Sequence, residues 1–243
     1  MTRIVADIGR IVEWLDRTLE AKRFDDVSNN GVQVANSGGE ARTVAFAVDA
    51  SVRAVEEAAA AGARLLVVHH GISWGGGIRR IEGGVYRVVK AAMDADLAVY
   101  ACHLPLDAHS RLGNNAQLAR LLGLSKVRPA FTYHGNVIGL VGESLRARKV
   151  EIGDRSVDVP RGAVVGVCSG GAGEFAEDAK RLGCSLFVTG EASWGDVVAA
   201  ENCAMKMVCC GHYGTEVFGV RAVAGAMKRA LKVDTVDLTE ELR

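Results

Sequence analysis

Arg64-Leu65-Leu66-Val67-Val68-His69-His70-Gly71-Ile72-Ser73-Trp74 is the stretch that decides the fold. Its apolar run from Leu65 to Val68 is too short for a helix, is rich in branched side chains and is closed by a glycine, so it reads as a strand buried on both faces. Polar residues follow at its carboxyl end. Upstream, Thr43 to Val48 is a second such strand that runs through Asp49-Ala50-Ser51 into a helical stretch, Val52 to Ala61. Downstream, a helix from Val85 to Asp94 leads to the strand Leu97 to Cys102, then to His103 through Asp107, then to a helix over residues 115–122. Strands alternating with helices in this way predict a parallel sheet with right-handed crossovers, which collects ligands beyond the carboxyl ends of its strands. His69, His70 and His103 all fall there.

The same order returns later in the chain. Ala163 to Val167 reads as a strand, Cys168 to Gly173 as a turn, Glu174 to Leu182 as a helix and Ser185 to Val188 as the next strand. Thr189-Gly190-Glu191-Ala192-Ser193-Trp194 ends that strand as His69 through Trp74 ends its counterpart. A helix over Val197 to Cys203, a strand over Lys206 to Cys210, the segment His212 to Glu216 and a helix over Val217 to Leu231 complete the second copy. The expected fold is therefore α/β and internally duplicated: two similar halves, residues 1–126 and 127–243, each with a mostly parallel sheet. Phe131 to Gly142 adds strands at the start of the second half, and the charged stretch Glu143 to Asp158 reads as an exposed hairpin. Trp74 and Trp194 occupy matching places and are expected to be packing anchors, with stacking on a heterocycle as the alternative.

Composition narrows the classes of function. With 243 residues, 49% of them hydrophobic, the chain can bury a substantial core. Lys plus Arg and Asp plus Glu each number 29, so no basic excess points to nucleic acid. Apolar runs fall far short of a membrane span, and Met1 to Glu20 reads as a charged amphipathic helix rather than a secretion signal. Six cysteines without Cys-x-x-Cys spacing suggest a reducing cytoplasm. Cys102 and Cys210, each at a strand end, read as small buried side chains rather than thiolate ligands.

The chemistry lies in the histidines. His103-Leu104-Pro105-Leu106-Asp107 and His212-Tyr213-Gly214-Thr215-Glu216 share one pattern, a histidine followed four residues later by an acid, and His69-His70 forms a third cluster. Imidazole and carboxylate are the ligands of hydrolytic divalent-metal sites. Adjacent residues of a regular strand face opposite ways, but at a strand terminus the pleat relaxes, and His69 and His70 can then serve two different ions. A spacing of four puts His212 and Glu216 on one helical face, where the carboxylate can bridge two ions roughly 3.5 to 4 Å apart. The same holds for His103 and Asp107, although Pro105 fixes the backbone between them and can turn His103 away. Gly171-Ala172-Gly173-Glu174-Phe175-Ala176 matches a dinucleotide fingerprint, with Glu191 at the acidic position. Its counterpart, Asp49-Ala50-Ser51, has no glycines, so no nucleotide cofactor is assigned. The glycines at 75–77 and 83–84 read as a lid or as a surface loop.

Five segments in order, Asn30-Gly31-Val32-Gln33-Val34, Val68-His69-His70-Gly71 with Trp74, His103 through His109 with Gly113-Asn114-Asn115, Thr189-Gly190-Glu191, and Gly211-His212-Tyr213 with Thr215-Glu216, resemble the GTP cyclohydrolase 1 type 2 homologues. That family is also called Nif-three-like, or dinuclear-metal-centre hexameric. The resemblance runs nearly end to end. It implies a toroidal homohexamer whose subunits each hold two divalent ions, such as zinc, iron or manganese, in the cleft between the two halves. Its implied ligands are His69 and Asp107 on one ion, His70 and His212 on the other, and Glu216 on both. His103 and Glu191 remain as candidate catalytic or supporting residues. Ser193-Trp194-Gly195-Asp196 stands where many relatives carry histidines. The implied activity is metal-dependent hydrolysis of a nucleotide or a related small molecule, as in GTP ring opening; a metal-stabilised adaptor or a metal store is the alternative.

Overall fold

The computed structural model describes residues 5–240. The chain opens with β1 (Ala6–Asp7), α1 (Ile8–Leu19), β2 (Gly31–Val34), β3 (Glu40–Ala41), β4 (Thr43–Asp49), α2 (Val52–Ala60), β5 (Leu65–His70), α3 (Gly83–Asp94) and β6 (Ala98–Ala101). After these come α4 (Leu104–Ala108), α5 (Asn114–Leu121), β7 (Leu124–Tyr133), β8 (Asn136–Ser144), β9 (Arg148–Ile152), β10 (Arg155–Val159) and β11 (Val164–Gly171). The last elements are α6 (Ala176–Arg181), β12 (Leu186–Glu191), α7 (Trp194–Asn202), β13 (Met207–Cys209), α8 (His212–Leu231) and β14 (Asp234–Asp237). Two compact units result. One comprises the residues up to Leu106 together with those from Val220 onward, and the other is Asp107–Gly219.

In the first unit the sheet runs β14-β4-β5-β6-β2, with β2 antiparallel to β6 and the other neighbours parallel. β4, β5 and β6 are buried almost throughout, as their unbroken apolar runs predict for strands covered on both faces. Ala45, Ala47, Leu66, Val68 and Val99 pack in one cluster with Val55 and Ala58 of α2 and Val88 and Ala92 of α3. α1 presents Ile8, Ile11, Leu15 and Leu19 at helical spacing, is capped by the Asp7 carboxylate on Arg10 N, and is tied to β6 by Tyr100 Oη donating to Asp16 at 2.9 Å. The Met1 end of the expected helix lies outside the described residues.

β5 does not stop at Val68; it continues through both histidines, with Asp49 of β4 paired opposite His70. Backbone pairing therefore fixes both residues. The carboxyl ends of β4, β5 and β6 lie in register, which brings Asp49, His70 and the Cys102-His103 segment side by side.

In the second unit the order is β13-β12-β11-β8-β7, the first three parallel and the last two antiparallel. Extra strands were expected over Phe131 to Gly142, and β7 and β8 span that region. The charged segment expected as an exposed hairpin is a hairpin, β9–β10, but only one of its faces is exposed. Val150, Ile152, Val157 and Val159 alternate with its charges and are buried beside Leu118, Leu122, Val165 and Val167.

The division between units comes at Leu106/Asp107, whereas the sequence placed it near Lys126. Helix α5 explains the difference. Its Asn115 donates to Ile138 O at 2.9 Å and accepts from Ser169 N at 2.7 Å, and its Leu118 packs on the second sheet, so α5 belongs with the strands that come after it. The segment from Val220 returns to the first unit, where β14 pairs with β4.

Candidate functional site

The first unit gathers three imidazoles. His69, His70 and His103 each offer a nitrogen within 4.8 Å of the others, and their ring centroids are 4.6 to 5.7 Å apart. His69 is fully buried. Every ring has its Nδ1 against an oxygen: His69 on Cys102 O at 2.9 Å, His70 on Asp49 Oδ1 at 2.8 Å and His103 on Asp26 Oδ1 at 2.8 Å. A carbonyl or ionised carboxylate oxygen only accepts, so each contact puts the proton on Nδ1 and leaves Nε2 as the nitrogen with a lone pair. This is the arrangement found around metal-binding histidines, where the outer partner sets tautomer and ring orientation.

The Asp26 side chain is nearly inaccessible to solvent and accepts four hydrogen bonds, from Ser28 N, Asn30 Nδ2, His103 Nδ1 and Leu104 N. Burial by itself would raise its pKa. His103, Ser28 and Asn30 outweigh that, and the carboxyl sits below its ordinary value. Asp26 and Asn30, which accepts from His103 N at 2.8 Å, hold His103 in place rather than Pro105 turning it aside.

The second unit gathers carboxylates around His212. α8 begins at His212, not at Val217 as the sequence suggested, so His212 and Glu216 stand one turn apart with Nε2 and Oε1 at 3.2 Å. His212 Nδ1 meets Glu191 Oε1 at 2.9 Å, as the Nδ1 atoms of the first unit meet oxygens, but here Nε2 faces a carboxylate too, so the ring donates from both nitrogens. The hydrogen bond to Glu216 outweighs burial and, with Glu191, pushes His212 up to about 9. Asp107 and Glu216 are buried, with carboxylate oxygens within 4.8 Å of one another. Asp107 Oδ1 accepts from Asn114 Nδ2 and from Ser169 Oγ, both at 2.9 Å.

Two glycines seat the first turn of α8. A Cβ on Gly190 would lie 2.6 Å from Gly170 O, 2.7 Å from Thr215 Oγ1 and 2.9 Å from His212 Cα. At Gly170, where φ is +68°, a Cβ would meet Glu216 Oε1 at 2.5 Å. The Thr-Gly-Glu segment thus supplies both the close approach and, in Glu191, the partner of His212. Gly173 of the dinucleotide-like run is explained by packing, since a Cβ there would meet that of Ala192 at 2.4 Å.

Within each unit the clustered donors are imidazole nitrogens and carboxylate oxygens, residue types that could hold a divalent ion. The thiols do not join them. Cys168 is buried, and burial followed by the charges of Asp107, Glu174 and Glu216 raises its pKa well above normal, while burial pushes Cys210 up to about 11. Neither tryptophan is the packing anchor expected: Trp74 is 38% exposed and Trp194 79%. The sequence did not single out Asp26 or Ser169, quoted Asn114 only as part of the family motif, and quoted Asp49 only as a turn residue. A carboxylate at the end of the strand beside His70 was the one available signal.

Known proteins share this architecture. The profile of the Duf34/NIF3 (NGG1p interacting factor 3) family matches residues 6–241. A Pyrococcus horikoshii protein named GTP cyclohydrolase 1 type 2 homolog is 39% identical, the match covering 95% of this chain and 96% of that protein. A protein of the same name from Deinococcus radiodurans is 37% identical, over 91% of this chain and 89% of its own. Among solved structures, protein ybgI, described as of unknown function, superposes with a TM-score of 0.82 at 28% identity, covering 96% of this chain and 98% of its own. TTHA1606 from Thermus thermophilus does so with a TM-score of 0.76 at 30% identity, over 96% and 98% of the two chains. By the extent of the profile match and the level of identity, this chain belongs to the Duf34/NIF3 family.

Proposed function

We propose that the chain is a hydrolase working with two divalent ions, His69 and Asp107 serving one, His70 and His212 the other, and Glu216 both. The observation that carries this reading is that His69, His70 and His212 each have Nδ1 held by an oxygen, which reserves Nε2 for a metal; His212 Nε2, which faces Glu216 Oε1, would give up its proton on binding one. Two buried carboxylates, Asp107 and Glu216, supply negative charge to match. Bound ions of this kind lower the pKa of a water and polarise the group it attacks.

The chain's own side chains do the rest. Ser169 and Asn114 aim the Asp107 carboxylate. Glu191 and Asp49 orient His212 and His70. His103, held by Asp26 and outside the ligand set, gives or takes a proton at Nε2 during turnover. The substrate is a nucleotide or a related phosphorylated or cyclic small molecule, in keeping with the relatives' name. Internal duplication of the α/β plan, assembly as a homohexamer and residence in the cytoplasm belong to the same reading. Among the described residues no helix is long and apolar enough to cross a membrane.

Metal analysis paired with turnover tests the proposal. Wild type should carry about two divalent ions per subunit and Glu216→Ala fewer; equal loading would remove Glu216 from the ligand set. Loaded protein should hydrolyse at least one member of a panel of nucleotides, phosphoesters and cyclic amidines. Failure across the panel would replace the hydrolase with the adaptor or storage reading.

A further inference from the structure

We propose that Trp74 is a stacking platform for a planar heteroaromatic ring of the substrate, set beside His70 and His103. The inference rests on the hydrolase reading and adds a substrate class to it. Trp74 lies in the first unit with its ring centroid 5.2 Å from His103 at 75° and 6.0 Å from His70. It remains 38% exposed, so these contacts leave much of the indole open.

An exposed tryptophan is often mobile, but this one is fixed. Its Nε1 donates to Gly71 O at 2.9 Å, which sets the ring's rotation. Its backbone bridges to Ser28, and Gly75 N donates to Val27 O at 2.6 Å. Gln33 Oε1 accepts from Ile72 N and Ser73 N at 2.6 and 3.0 Å, while Asn29 Nδ2 donates to Ser73 Oγ at 2.8 Å. Gly71 makes room for that clamp, because a Cβ there would collide with the Gln33 carboxamide. The loop is therefore organised to present a rigid aromatic surface, which lowers the entropy cost of binding.

The neighbours define the ligand. A wholly apolar group pressed on the indole would strip water from imidazole and carboxylate groups without replacing their hydrogen bonds. A heteroaromatic ring meets both needs, with its face on the indole and its polar edge toward His70 and His103.

The test uses full-length wild type, Trp74→Phe, Trp74→Leu and Trp194→Phe, with guanosine as the probe that carries a heteroaromatic base and ribose 5-phosphate as the probe without one. Equilibrium dialysis should show guanosine binding weakened by about 5- to 150-fold in Trp74→Leu, the range expected for loss of one base–aromatic stack, and largely kept in Trp74→Phe. Ribose 5-phosphate binding should not change, and guanosine should quench tryptophan fluorescence in Trp194→Phe as in wild type. Absence of guanosine binding by wild type, equal affinity in Trp74→Leu, or parallel loss of both probes would overturn the proposal. Metal content is measured on every sample: a wild type that holds no metal sinks the hydrolase reading while the guanosine comparison still reports on Trp74.

Discussion

Asp26 Oδ1 lies 2.8 Å from His103 Nδ1, joining two residues 77 positions apart. The same carboxylate binds the chain on both sides of that histidine's backbone, through Leu104 N and, by way of Asn30, His103 N.

Removing this anchor should be costly. Asp26→Ala is expected to destabilise the first unit by about 2–4 kcal/mol, since a buried charged acceptor and several partners lose their bonds together. Urea unfolding monitored by circular dichroism measures it; a loss below about 0.5 kcal/mol would show that the network contributes little.

The same group sets an acid limit. Its folded pKa lies below the ordinary 3.8 even though burial opposes ionisation, so its contribution is present above that value and declines as pH falls through the folded pKa. Stability measured from pH 6 down to about pH 3 should fall less steeply in Asp26→Asn than in wild type. Parallel curves would assign acid sensitivity to other carboxylates.

Ser169→Ala leaves the sheet intact but removes one of two donors to Asp107 Oδ1. Loss of such an outer partner typically weakens a metal site 10- to 100-fold. Competition with a chromophoric chelator should show that drop, and Glu191→Ala should show a similar one through His212. Unchanged affinity in both variants would mean that the inner ligands hold their positions unaided.

Gly190→Ala should disrupt the second unit where α8 begins, by crowding that includes His212 Cα. Three atoms within 3 Å of the new methyl, two of them backbone, cannot all give way. A cost of about 2 kcal/mol or more is expected from overpacking, read as a fall in melting temperature. A variant that melts like wild type would show that α8 can shift outward freely.

Much of this was legible before the structure. Short apolar runs ending in His69-His70 and Thr189-Gly190-Glu191 located the strand ends, because strands covered on both faces need no alternation to be recognised. The pairing of His212 with Glu216 followed from helical spacing once the helix began at His212. What local pattern does not contain is distance across the fold. Asp26 and His103 sit on loops with no periodicity, and the place of α5 was set by Asn115 and Leu118 packing on a later sheet rather than by its own sequence. Trp74 and Trp194 misled for a related reason: equivalent positions suggested equivalent burial, yet neighbouring chain alone decides exposure.

The strand β14 has a consequence for synthesis. The first unit's sheet waits for Asp234–Asp237 to cover β4, so that unit lacks an edge until the whole of Asp107–Gly219 has been made. The second unit is contiguous and can close as soon as it emerges. Domains usually fold in the order in which they leave the ribosome; here the half begun first is finished last, and until then β4 offers an open hydrogen-bonding edge that a chaperone or a neighbouring chain can occupy.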